Sequence, residues 1–179
     1  MSTEFAPLHR RGTERLARSH WGSGRAIWEA DAGGRDWQAE TEVTEETAPE
    51  QIAAALGIEP GAPGIVRRRL HRIGDRPVQL SASWLPASIA AGTPIAEEES
   101  GPGGVYARLL DLGYPPARFT EVVSARMPSP DETEALELPQ GTPVILITRT
   151  ALTDNGTVVE VNNMVLDATA HRVEYVIDA

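Results

Sequence analysis

Apolar residues along the chain recur in two rhythms, and the switches between them divide it into helices and hairpins. Between Arg25 and Val43 the residues Ile27, Trp28, Trp37, Ala39 and Val43 flank Ala32-Gly33-Gly34, which predicts a hairpin. Thr47 or Ala48 before Pro49-Glu50 has the character of an N-cap and first turn, opening a helix that runs to Leu56 and stops at Gly57. Strands then follow over 65–72 and 78–84, joined at Gly74-Asp75-Arg76 and ended by Pro86. Residues 87–102 read as a short helix and an acidic loop, Glu97-Glu98-Glu99, and Val105, Leu109, Leu110 and Leu112 have helical spacing up to Gly113. A strand is predicted over 119–127, and a helix is expected to open at Ser129-Pro130-Asp131-Glu132. Strands over 144–152 and 158–166 flank the turn Asp154-Asn155-Gly156, and His171–Ile177 forms the last. Helices alternating with antiparallel hairpins define the α+β class.

The pattern contains itself twice. Shifting the sequence by 80 positions lays Ala55-Leu56 on Ala135-Leu136, Gly61 on Gly141, Pro63 on Pro143, Ile65 on Ile145 and Arg69 on Arg149. Each copy is a helix, a Gly-x-Pro entry and a long hairpin. Two such units place their hairpins side by side in one antiparallel sheet, related by a pseudo-twofold, with helices on one face and a cleft between the halves, a common place for a small-molecule site.

The strand period of two sorts the first hairpin into faces. With a three-residue loop, His71 lies opposite Gln79, which groups Arg67, Arg69, His71, Gln79, Ser81 and Ser83 on one face and Val66, Leu70, Val78, Leu80, Ala82 and Trp84 on the other. The polar face suits a carboxylate, phosphate or polyol. Glu160 and Asn162 share one parity in the second unit. The alternative for these residues is a solvated sheet face held by cross-strand pairs.

Composition narrows the function. With 26 acidic and 16 basic residues the net charge is -10, which repels a phosphate backbone and argues against DNA binding by this chain itself. Five arginines, Arg10, Arg11, Arg15, Arg18 and Arg25, gather with His9 near the start, so residues 1–24 are expected to be a solvated linker, a fraying helix or an N-terminal arm, with 25–179 as the domain proper. The N-terminus lacks the apolar core of a signal peptide and no stretch approaches a membrane span, so a cytoplasmic home without membrane contact is expected. There is no cysteine.

Catalytic patterns are missing. His9, His20, His71 and His171 are scattered without metal-ligand spacing, and no nucleophile elbow, Walker loop or Gly-x-Gly-x-x-Gly occurs, so no metal and no cofactor is called for. Gly33-Gly34 and Gly103-Gly104 read as turns. Trp21, Trp28 and Trp37 could stack on a ligand, although packing is the commoner use.

The segments Ala53-Ala54-Ala55-Leu56-Gly57-Ile58, Arg69-Leu70-His71-Arg72, Gly74-Asp75-Arg76-Pro77-Val78, Ser83-Trp84-Leu85-Pro86, Gly104-Val105-Tyr106-Ala107-Arg108-Leu109-Leu110 and Thr153-Asp154-Asn155-Gly156-Thr157-Val158-Val159-Glu160 lie in an order that resembles the UTRA domain. That domain is the effector-sensing half of HutC-type regulators in the GntR family, and the likeness spans about residues 40–178. It implies a chorismate-lyase-like fold, a homodimer, and an effector whose binding changes the DNA affinity of a winged helix-turn-helix domain, which these residues do not include. The family's basic effector-contacting positions fall on Arg69 and His71, and an acidic one on Glu160. Ser81 stands where an acid is common and Leu166 where a tyrosine is, so a small, partly apolar acid fits as well as a sugar phosphate.

The expected site is therefore Arg69 and His71 for an anionic group, Ser81, Ser83, Glu160 and Asn162 for polar substituents, and Thr120 and Glu121 from the neighbouring strand. The expected activity is effector sensing without catalysis. The alternatives are a chorismate-lyase-like enzyme and a ligand-free structural dimerisation module.

Overall fold

The structure, a computed structural model, describes residues 5–177; residues 1–4 and 178–179 of the two expected ranges lie outside these. The chain opens with strand β1 (Leu8–Arg11) and three short helices, α1 (Gly12–Arg15), α2 (Arg18–Trp21) and α3 (Ile27–Ala32). Strand β2 (Trp37–Thr47), helix α4 (Glu50–Leu56) and the hairpin β3 (Pro63–Ile73) and β4 (Arg76–Pro86) complete the first repeat. Helix α5 (Ala87–Ala90), a 3-10 turn (Pro94–Ala96) and helix α6 (Gly104–Asp111) lead to the second: β5 (Arg118–Arg126), α7 (Pro130–Ala135), β6 (Val144–Leu152) and β7 (Val158–Asp167). Strand β8 (His171–Glu174) ends the described elements.

The six long strands form one antiparallel sheet in the order β2-β3-β4-β7-β6-β5, which is symmetric about the β4–β7 seam. The two repeats thus meet as the 80-residue shift implies. Both return strands carry a bulge in the equivalent place. In the first hairpin Ile73 pairs with Arg76, so the turn is Gly74-Asp75 and not the expected three residues, but a register shift after His71 restores His71 opposite Gln79. Val78 is the extra residue, and a bulge corrects register by the same single residue as a longer loop would. Val78 consequently leaves the apolar face expected for it and packs with Leu8, Trp28, Ala32 and Ile73. In the second hairpin the shift after Ala151 makes Val159 the extra residue and turns Glu160 to the same face as Arg149.

Ile65 and Val66 point to opposite faces, and each anchors a core. Val66, Trp84 and Val161 receive Ile52, Ala53 and Leu56 of α4, while Leu136 and Leu138, at the end of α7, pack with Leu70, Leu80, Leu146 and Val165. The two repeat helices therefore share one face, as the duplication requires. The other helices cover the opposite face: Ile65, Leu85, Ala151 and Val159 pack against Tyr106 and Leu109 of α6, Ala87 and Ala90 of α5, Ile95, and Trp21 of α2.

Three expectations at the N-terminus and one at the C-terminus need correction. Residues 8–21 are no solvated linker or fraying helix: Leu8, Arg10, Arg15 and Trp21 are buried. The segment 25–43 is no hairpin, because Ile27–Ala32 is helical and Gly33, in the left-handed conformation at φ 59°, ends that helix before β2 begins. Thr47 still belongs to β2, and Pro49 precedes α4 without a side-chain cap. The last strand stops at Glu174 and pairs in parallel with β1, outside the main sheet. The basic residues had marked the segment as solvated; burial of its apolar residues against the sheet outweighs them.

If the N-terminal segment is part of the core, Trp21→Ala destabilises the fold by about 3–5 kcal/mol in urea unfolding monitored by circular dichroism. A shift within about 0.5 kcal/mol, as for a surface position, would restore the linker reading.

Candidate functional site

On the face carrying Ile65, the side chains turn polar towards the β4–β7 seam, and α3, α6 and the acidic loop enclose them in a cavity of about 750 Å³. The floor is the sheet, with Arg67, Arg69 and His71 from β3, Gln79 and Ser81 from β4, Glu160, Asn162 and Met164 from β7, and Arg149 from β6. Trp28 of α3 stacks on the His71 ring at 4.4 Å and 15° and forms part of the wall. Arg67, fully buried, donates to the carbonyls of Ile95, Glu97 and Glu98, and thereby ties the acidic loop over the cavity edge. The same loop closes on α2 through Gly103, at φ 78°, where a Cβ would lie 2.5 Å from the Trp21 carbonyl oxygen. Only glycine fits there.

Charge is concentrated around this cavity. Arg15 forms a two-pronged pair with Asp31, at 3.0 and 2.8 Å. Glu121 accepts from Arg10 at 3.0 Å and from Arg149 at 2.9 Å. Glu160 accepts from Ser83 and from Tyr106, at 2.5 Å for the latter, and Arg149 donates to the same tyrosine hydroxyl. Burial and the neighbouring Arg15 and Arg149 lower Arg10 to about 9, so it is still charged at neutral pH. Burial, and then Arg69, Arg15 and Arg10, push His71 well below its usual range; burial brings His171 down to about 4. Both imidazoles are neutral at pH 7.

Many of these groups lack partners. Of ten buried side-chain polar atoms without a hydrogen bond among the described residues, six belong to cavity-lining residues: Arg15 Nη1, Arg67 Nε, His71 Nδ1, Gln79 Oε1, Ser81 Oγ and Asn162 Oδ1. Arg69 makes no hydrogen bond or ion pair among the described residues. Its repeat counterpart explains why. Arg149 stands opposite Glu121 on the outer strand, whereas Arg69 stands opposite Thr41, 80 positions earlier and neutral. Buried polar groups are ordinarily bonded to protein or to water, so a cluster of them with no protein partner lining a cavity is free to bond whatever fills it. A second, more open groove of about 520 Å³ on the opposite face is lined by Leu70, Leu80, Ala82 and Val165 and holds no such concentration.

Of the residues the sequence nominated, Arg69, His71, Ser81, Glu160 and Asn162 are brought together around the cavity. Ser83 and Glu121 stand one layer behind, occupied with Glu160 and with Arg10 and Arg149. Thr120 does not belong: it pairs with Thr150 and is exposed on the other face, since adjacent strand residues point oppositely. The residues not nominated are Arg15, Trp28, Gln79, Tyr106 and Arg149. Arg149 was reachable through the 80-residue shift from Arg69, and Gln79 through its parity with Ser81; nothing local marked Arg15.

Residues 35–172 match the family model of the UTRA domain. The chain belongs to the UTRA domain family. This is the ligand-binding domain of GntR-family transcriptional regulators. The HTH-type transcriptional regulator SCO4628 of Streptomyces coelicolor is 35% identical over 87% of the chain and 61% of that protein. Rv0792c of Mycobacterium tuberculosis, also an HTH-type transcriptional regulator, is 34% identical over 64% of the chain and 42% of its own length. The UTRA chain thus spans about half the length of these relatives. Among solved structures, a GntR-family transcriptional regulator superposes with a TM-score of 0.77 at 27% identity, covering 86% of the chain and 64% of its own. The C-terminal domain of the histidine utilization repressor from Pseudomonas syringae shares the fold at a TM-score of 0.68 and 21% identity, over 80% of the chain and all of that domain. No helix among the described residues is long and apolar enough to cross a membrane.

The two buried histidines set a pH dependence. Their folded-state pKa values lie below the unfolded value near 6.5, so the unfolded chain takes up protons first and stability is lost as pH falls below about 6.5. Denaturant midpoints between pH 7 and pH 5 should show a loss of about 2 kcal/mol from His171 and a further loss from His71, and the double variant His71→Gln/His171→Gln should show a flatter profile. An unchanged slope in that variant would assign the effect elsewhere.

Proposed function

We propose that this UTRA domain senses a small anionic effector bound in the cavity over the β4–β7 seam, that it acts as a homodimer, and that it has no catalytic role. The observation that carries the reading is Arg69, a guanidinium lining the cavity with no hydrogen bond or ion pair among the described residues, opposite Thr41 where the other repeat provides Glu121. An unpaired cation in a partly desolvated place is costly, and an incoming carboxylate or phosphate removes that cost. His71 is neutral and supplies a hydrogen bond rather than charge, with Trp28 fixing its ring plane. Ser81 and Asn162 offer further contacts, and Tyr106 with Ser83 holds Glu160 in place. Contact with DNA belongs to a winged helix-turn-helix domain of such a regulator and not to this acidic unit, and occupancy of the cavity alters that contact. The enclosing α2–α3 segment extends the sensing unit N-terminally beyond residue 25.

The test is thermal unfolding of the purified chain against organic acids, sugar phosphates and neutral polyols. An acid at 100 times its dissociation constant stabilises by about 2.7 kcal/mol, a readily measured rise in Tm. Arg69→Met should lose that rise while leaving the ligand-free Tm unchanged or higher, because no internal partner is lost. Stabilisation by neutral polyols alone, or an undiminished response in Arg69→Met, would overturn the reading.

A further inference from the structure

We infer that the effector is a dianion with an acidic group at each end, one held by Arg69 and the other by the guanidiniums of Arg15 and Arg149. The inference rests on the reading of the cavity as an anion site and names the class of anion.

The duplication builds two poles. Arg69 and Arg149 are equivalent under the 80-residue shift, and both project from the polar face, on strands separated by β4 and β7. Three strand spacings across the sheet and an offset of two residues along it, Arg149 lying in register with Arg67, put their backbones roughly 16 Å apart. At the Arg69 end two guanidiniums, Arg67 and Arg69, stand near one buried carboxylate, Glu160, which is bonded to neither of them, so one positive charge is in excess. At the Arg149 end three guanidiniums, Arg10, Arg15 and Arg149, share two carboxylates, Asp31 and Glu121. One positive charge is again in excess.

Hydrogen bonding shows the same shortage independently of charge. Arg10 Nη2 and Arg149 Nη2 both approach the Met164 sulfur, at 3.4 and 3.9 Å, and a thioether is a weak acceptor. Arg15 Nη1 and both Nε and Nη1 of Arg10 have no hydrogen-bond partner among the described residues, the last lying 3.9 Å from Asp31 Oδ2. A molecule with one acidic group would neutralise one pole and leave a buried, uncompensated cation at the other, the costly arrangement for a buried charge network. Between the poles the unbonded Gln79 Oε1 and Asn162 Oδ1 accept only, so the middle of the molecule carries hydroxyl or amino groups that donate to them.

3-Hydroxyglutarate, 3-hydroxyadipate and 3-phosphoglycerate serve as probes, each against its single-ended control: the two monomethyl esters, and glycerate. With the full chain, we expect at least one diacid to raise Tm at a concentration at least tenfold below that needed by its control. Arg69→Met and Arg10→Met should each weaken the diacid tenfold or more and erase the preference over the control. Arg10→Met removes one charge while Glu121 stays bonded to Arg149. Controls that match their diacids overturn the dianion and leave the anion site standing; silence from every acid overturns both. The ester comparison needs no variant and decides by itself.

Discussion

The pleat of the central sheet is the constraint on which everything else depends. A strand can present only alternate residues to one side, and here β3, β4, β6 and β7 must send their arginines, hydroxyls and amides to the same side while Val66, Leu80, Trp84 and Val161 go to the other. A slip of one residue would exchange the sets, burying the polar groups under α4. The bulges at Val78 and Val159 prevent it. They absorb an extra residue beside each turn, keep His71 opposite Gln79 and Glu160 opposite Ala151, and occur at equivalent places in the two repeats.

A polar face of this kind is stable only if covered, and the cover is itself charged. Arg10 and Arg15 enter with Asp31 and meet Glu121 from β5, so charges are buried as a network and not singly. Arg67 plays a different part: with Nη1 and Nη2 bonded to three loop carbonyls and only Nε left over, it is chiefly a rivet for the loop. The distinction between arginines already satisfied and those still short of acceptors is what turns a basic face into a site.

Much of this was legible in the chain. The 80-residue repeat, the two hairpins, the helices before them and the sharing of one face by Arg69, His71, Ser81 and Ser83 follow from spacing and parity, which are local properties. Five of the eight nominated residues line the cavity, because parity on a long strand leaves a side chain no choice of face. The same rule, applied to Thr120, would have separated it from Glu121.

What remained hidden depends on contacts between residues far apart in the chain. That Val78 packs under Trp28, that Arg10 reaches Glu121 across 111 positions, and that a basic, glycine-rich start folds into the core were decided by burial against the assembled sheet. The sequence by itself determined the repeat and the faces of its strands, since periodicity is written into successive residues. Only the tertiary structure decided which charges are paired and which await a partner, because pairing depends on distances that no run of neighbours contains.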